Sequence, residues 1–151
     1  MPKLQFNLKT LLIATCVVAL PIWSARITIE RTVRNMEATR SAYAAQMVAY
    51  MCVEHMKNNH QAWPKSWDEL DDDFNAGLTR AGRKWEWTID DLKERVEVDW
   101  RADLTKLEPN SVVWIKDFPD REWYMTFTNE IIASYLQAAN LRKRVDPSLV
   151  P

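Results

Sequence analysis

The chain is poor in glycine, cysteine and histidine. Its two glycines, Gly77 and Gly82, are not spaced as a phosphate cradle requires, so glycine-rich phosphate loops are excluded. Two cysteines, Cys16 and Cys52, exclude a disulfide-stapled scaffold. On one continuous helix they would stand about 50 Å apart, far outside pairing distance. Two histidines, His55 and His60, leave little material for a Ser-His constellation or a converging metal site. Neither sign of charge dominates. With 20 basic and 21 acidic residues and a formal net charge of −1, nucleic-acid binding driven by bulk charge is excluded.

What is present begins at the N-terminus. Lys3 and Lys9 precede an uncharged block from Leu11 to Trp23. At about 1.5 Å per residue this block falls short of a hydrocarbon core of roughly 30 Å, and extending it to Ile29 reaches that thickness. Ser24, Arg26 and Thr28 would then lie near the far interface, with Arg26 snorkelling and Trp23 at the headgroup boundary. The reading is a polar segment over 1–10 and a transmembrane anchor over 11–29, in contact with membrane lipid. A cleaved signal peptide fits less well, because Trp23 with Ala25 puts a bulky ring where a small side chain is needed. Cleavage after Val17 and Ala19 would leave only Leu11 to Cys16 as the apolar region. A buried helix of a soluble fold is the third reading. Residues 1–40 carry six Lys or Arg against Glu30 and Glu37. Arg26, Arg31, Arg34 and Arg40 follow the block, so the positive-inside count does not favour a cytoplasmic N-terminus. By analogy with short N-terminal signal-anchors, the expectation is a single-pass membrane protein with its body periplasmic or extracytoplasmic.

From Ile27 to about Asn59 there is neither Pro nor Gly, and alanines favour helix. Ile29, Val33, Met36, Tyr43, Met47 and Tyr50 recur three or four apart or at multiples of that spacing, with Arg40 interrupting, which predicts an amphipathic stalk helix over 30–60. Its stripe packs either on the chain's own sheet or on another subunit. A small α+β body is expected over 61–145 and a loose tail over 146–151. Ser66 with Glu69, and Thr88 with Asp91, read as capping boxes opening short helices to about Phe74 and Glu94. Val96, Val98 and Trp100 alternate with acids as a half-buried strand. Val112 to Phe118 reads as a second strand, Pro119 to Glu122 as a turn, Trp123 to Phe127 as the return strand, and Lys84 to Thr88 as a fourth. A C-terminal helix follows from Glu130 to about Arg142, capped by Thr128 or Asn129. The fold class is α+β: a long N-terminal membrane and stalk helix, a small antiparallel sheet of three or four strands, and a C-terminal helix.

This order of elements resembles the type IV pilin and type II secretion pseudopilin plan. The link from Asn59 to Leu70, with Trp63-Pro64 and Ser66-x-x-Glu69-Leu70, resembles the segment after a pseudopilin stalk. The prepilin cleavage motif is absent: no Gly precedes Gly77, and the first Glu is Glu30. The opening Phe6-Asn7-Leu8-Lys9-Thr10-Leu11-Leu12 is also similar to the start of short N-anchored proteins of planctomycete-type bacteria, a likeness that implies topology and no chemistry.

No catalytic, cofactor or metal residue is assigned. Cys52 and His55 lie three apart but lack further ligands and an orienting third group. The acidic run of Asp68, Glu69, Asp71, Asp72 and Asp73 lacks the alternation and Gly turn of a calcium loop. Glu97 and Asp99 fall on the wet face of their strand, without the burial that acid–base work needs. Two surfaces remain. One is an interaction stripe of Val33, Met36, Tyr43, Met47 and Tyr50, for a protein partner or self-association. The other is a ligand platform of Trp63, Trp67, Trp85 and Trp87, for glycan or peptidoglycan. The expected role is structural or protein-interaction at the envelope, with ligand binding through tryptophan as the alternative and no enzyme activity.

Overall fold

The computed structural model describes residues 8–81, 86–104, 112–117 and 122–145, with side chains left undescribed at 8–12, 14, 122–127 and 141–145. By its contacts the chain divides into two units, Met1–Glu37 and Ala38–Pro151. Helix α1 (Leu8–Asn58) runs through both, with Pro21 inside it.

In the first unit the helix stands without cover. Ile13, Val17, Val18, Leu20, Ile22, Trp23, Ile29, Val33 and Met36 are all more than half exposed. Its hydroxyls are satisfied by the helix's own carbonyls: Ser24 Oγ donates to Pro21 O, Thr28 Oγ1 to Ser24 O and Thr32 Oγ1 to Thr28 O, at 2.8–2.9 Å. Arg26 Nε pairs with Glu30 Oε1 at 2.8 Å.

The anchor expected over 11–29 is corrected here. Among the described residues no helix is long and apolar enough to cross a membrane. The uncharged run between Lys9 and Arg26 is short: Thr10 to Ala25, or about 24 Å of helix against a core of roughly 30 Å. The Arg26–Glu30 pair then follows within the stretch needed to complete the span. The transmembrane, single-pass and signal-anchor readings, and the membrane localisation built on them, are therefore withdrawn.

In the second unit α1 becomes the spine of a core. Ala44, Ala45, Met47, Val48, Met51, Cys52 and Met56 are buried on it. The helix ends at Asn58, within two residues of the end expected for the stalk. Gln61 N then donates to Met56 O at 2.7 Å, and His60 and Gln61 take left-handed conformations, φ 52° and 67°. Glycine usually fills such positions, and a side chain there costs on the order of 1 kcal/mol.

Three short segments follow: α2 (Trp67–Leu70), a 3-10 turn (Asp71–Asp73) and α3 (Phe74–Arg80). Helical structure thus continues past Phe74, where the sequence had predicted its end. The Ser66 side chain makes no cap bond. Only the reciprocal half of that box survives, shifted by one residue, with Glu69 Oε2 accepting from Lys65 N at 2.8 Å. The second box forms completely and opens α4 (Ile89–Arg95). Asp91 N donates to Thr88 Oγ1, and Thr88 N donates to Asp91 Oδ2.

The sheet is smaller than expected, with two antiparallel strands rather than three or four. Strand β1 (Val96–Val98) pairs with β2 (Val113–Ile115) in the register Val96–Ile115, Glu97–Trp114 and Val98–Val113. The return strand predicted over Trp123 to Phe127 is instead part of helix α5 (Glu122–Val145). Strand propensity in Trp, Tyr and Phe is a weak, context-dependent preference. Here it loses to a helix that packs on β2 and buries Ile132 and Ala139. Thr128 and Asn129, expected as caps, consequently lie buried inside α5. Of the fourth strand, Lys84 and Trp85 lie outside the described residues and Glu86 to Thr88 are not strand. Pro119, Asp120 and Arg121 of the predicted turn, and the tail over 146–151, also lie outside them.

One glycine is required by packing. Gly77 on α3 is buried against α1, where a Cβ would overlap Met51 Cγ and touch Met47 O at 3.4 Å. Gly77→Ala must displace Met51 within a closed core. A loss of about 1–3 kcal/mol is expected in denaturant unfolding, whereas Ala76→Gly next to it costs no more than about 1 kcal/mol.

The α4 cap carries a pH signature. Hydrogen bonds from the Thr88 side chain and then its backbone hold the Asp91 carboxyl below its ordinary value. The unfolded chain therefore binds the proton more readily. The cap's contribution is present above the ordinary carboxylate range and is lost as pH falls through the depressed folded value. Asp91→Asn is expected to lower the melting temperature at neutral pH. The difference from the parent should shrink as melts are taken toward pH 2.

Candidate functional site

The polar groups of the second unit converge where α1 ends. A cavity of about 580 Å³ is lined by His55, Asn58 and Asn59 of α1 and its end, Ala62, Trp63 and Lys65 of the link, and Glu69, Asp72 and Asp73. Local structure places each group. One α1 turn carries His55 next to Asn58 and Asn59, and the 3-10 turn aims Asp73 inward while Asp71 and Asp72 stay exposed. His55 and Asp73 are 8% and 5% exposed, the most buried His and carboxylate among the described residues.

Their hydrogen bonds define the ring. His55 Nδ1 lies 3.1 Å from Glu69 O and 3.2 Å from Asp73 Oδ2, both acceptors, which puts the proton on Nδ1. Asn59 Nδ2, 3.3 Å from the same nitrogen, already donates to His55 O at 3.0 Å. Asn58 Nδ2 donates to Asp73 Oδ1 at 3.0 Å, so both oxygens of the buried carboxylate are used. In the neutral ring Nε2 is then a bare acceptor, 3.7 Å from Glu69 Oε2 and beyond bonding distance. A His–Asp pair of this form can orient an imidazole as a base. The cavity lining contains no Ser, Thr or Cys for it to activate. The network closes the C-terminal end of α1 and ties the acidic segment to it.

Cys52 does not supply the missing nucleophile. It is fully buried, and burial, followed by the negative charge of Asp73, pushes its thiol well above the ordinary range. Among the described residues no group of three or more His, Cys, Asp or Glu side chains is placed to hold a metal ion. The acidic run is dispersed: Asp73 faces His55, Glu69 accepts from Lys65 N, and Asp68, Asp71 and Asp72 are exposed. Glu97 accepts from Trp114 Nε1 at 3.2 Å, and Asp99 Oδ1 from Arg101 N at 2.9 Å.

The five stripe residues fall into two environments. Val33 and Met36 are 55% and 66% exposed in the first unit. In the second, Met47 is buried in the core, Tyr43 is half-buried against it and Tyr50 is half-buried. The tryptophans do not present one open face. Trp63 is half-buried, with Nε1 donating to Asp99 O at 2.8 Å. Trp67 meets Trp100 edge-on at 5.4 Å, and Trp87 is buried with the Arg40 guanidinium 5.1 Å from its ring centre. Trp85 lies outside the described residues.

Comparison with protein-family models, curated proteins and solved structures found no match.

Sequence reasoning missed the His55–Asp73 pair, whose members stand 18 residues apart. The available signal was the position of His55 among Met51, Cys52 and Met56, on the face that α1 buries. The two thiols should differ sharply. An aromatic disulfide reagent is expected to titrate one thiol per native chain, the exposed Cys16, and two after unfolding. Cys16→Ser should reduce the native count to zero.

Proposed function

We propose that this chain is a structural, protein-interaction module whose docking element is the first-unit segment of α1, and that its plan of a long N-terminal helix with a small α+β body is pseudopilin-like. One observation carries the reading. Nine large apolar side chains between Ile13 and Met36 are more than half exposed, whereas the apolar side chains of the second unit close into a core. Exposed apolar side chains in this number on one helix mark a surface that something else covers. The polar groups at the end of α1 bind one another around Asp73 and His55.

The test places charge on the exposed segment and leaves the core alone. In the double variant Ile29→Glu, Val33→Glu both positions are more than half exposed, so the melting temperature should stay close to the parent's, within about 0.5 kcal/mol of stability. Chemical cross-linking in producing cells should trap the parent in a protein complex and leave the variant uncomplexed. A variant that remains complexed to the same extent, or a parent that is never found in one, removes the reading.

A further inference from the structure

We infer that the occupant of this surface is a second copy of the chain, its α1 segment lying antiparallel across the stripe Val18, Ile22, Ile29, Val33 and Met36. The inference rests on the interaction reading above and adds the partner and its direction.

At about 100° per residue, these five side chains fall within roughly 60° of the helix circumference. They are 55–66% exposed. Each offers on the order of 100 Å² of apolar surface, so two stripes facing one another bury about 1,000 Å² before any flank is counted. That reaches the lower bound for a specific interface. One flank is small and already satisfied. Beside Ala25, the Thr28 and Thr32 hydroxyls donate to carbonyls of their own helix, so a second helix can close over them without orphaning a donor. The other flank carries Glu30 and Glu37, with Arg26 at its border with the stripe.

Charge and side-chain size select the direction. The line facing the other copy runs through Ala19, Ile22, Arg26, Ile29, Val33 and Met36, spaced three or four apart, with Val18 at its edge. In a parallel, in-register pair Arg26 meets Arg26 of the other copy, like charge against like charge in the centre. In the antiparallel pair Ala19 lies against Met36, the smallest side chain of the line facing the longest apolar one, with Ile22 against Val33 and Arg26 against Ile29. Each Arg26 then lies beside Glu30 of the other copy as well as the Glu30 it already pairs with at 2.8 Å. The arrangement is two-fold and self-complementary, as a closed dimer requires.

The experiment uses the full chain in a Cys16→Ser background, which leaves only the buried Cys52. Ile22→Cys and Val33→Cys are prepared separately, then mixed and oxidised. In the antiparallel dimer the thiol introduced at position 22 of one copy opposes the thiol at position 33 of the other. Two thiols at position 22 stand about 16 Å apart along the axis, beyond disulfide reach. The expected result is a cross-linked dimer from the mixture at least tenfold more abundant than from either variant alone. Sedimentation of the parent should give twice the chain mass. Efficient self-linking of Ile22→Cys overturns the antiparallel assignment. A parent chain that stays monomeric across the accessible concentrations overturns the second copy altogether, including one that sediments with phosphatidylcholine–phosphatidylglycerol vesicles. A monomer whose cellular complex still depends on Ile29 and Val33 sinks this inference and leaves the interaction reading standing.

Discussion

The buried face of α1 between Ala44 and Met56 is the constraint on which the second unit depends. Every neighbouring element but one is too short to persist alone. Helices α2, α3 and α4 have four, seven and seven residues, and each strand has three. Isolated helices of that length are marginal in water, and a lone two-stranded sheet is no better. They gain stability by covering a continuous row of methionine, valine and alanine side chains on a helix that is already long. Methionine suits the task because its unbranched thioether adapts to irregular neighbours. That adaptability ends where Gly77 brings the α3 backbone against Met47 and Met51.

The same helix supplies the polar focus of the unit. His55 sits on the buried side of α1, where an imidazole must find partners or lose its hydration uncompensated. Asp73, Asn59 and the Glu69 carbonyl surround it, and Asn58 occupies the remaining carboxylate oxygen. Two left-handed residues, His60 and Gln61, turn the chain so that the link and the acidic segment return to this point. The network can be satisfied only when the end of α1, α2 and the 3-10 turn are all in place, which makes it a fastener for the α1 terminus. Burial first, and then the negative charge that orients His55, disfavour a thiolate at Cys52.

The first unit raises the opposite problem. Its helix has apolar side chains and no element of the described chain to cover them. Charge at Arg26 and Glu30 cuts short the length available to a bilayer, while internally bonded hydroxyls at Ser24, Thr28 and Thr32 let one side of the helix be buried at little cost. Both features suit a protein surface as the covering partner, and the proposed interaction role rests on them.

Features set by short-range chemistry were legible in the sequence. The long helix up to Asn58 follows from helix-forming residues uninterrupted after Pro21. The Thr88–Asp91 cap needs only three residues, and the alternation of Val96 and Val98 needs only a strand. Features that depend on a distant partner were decided by the tertiary structure. Trp123 to Phe127 has strand-forming residues, yet it belongs to a helix because a long helix on β2 buries Ile132 and Ala139. Ser66 and Glu69 have the spacing of a cap, but Glu69 turns to Lys65 N instead. The pairing of His55 with Asp73 spans 18 residues, and no local pattern encodes it. Periodicity placed Val33, Met36 and Met47 on one stripe, but whether a side chain on that stripe meets solvent or a core depends on what lies opposite, and only the folded chain supplies that neighbour.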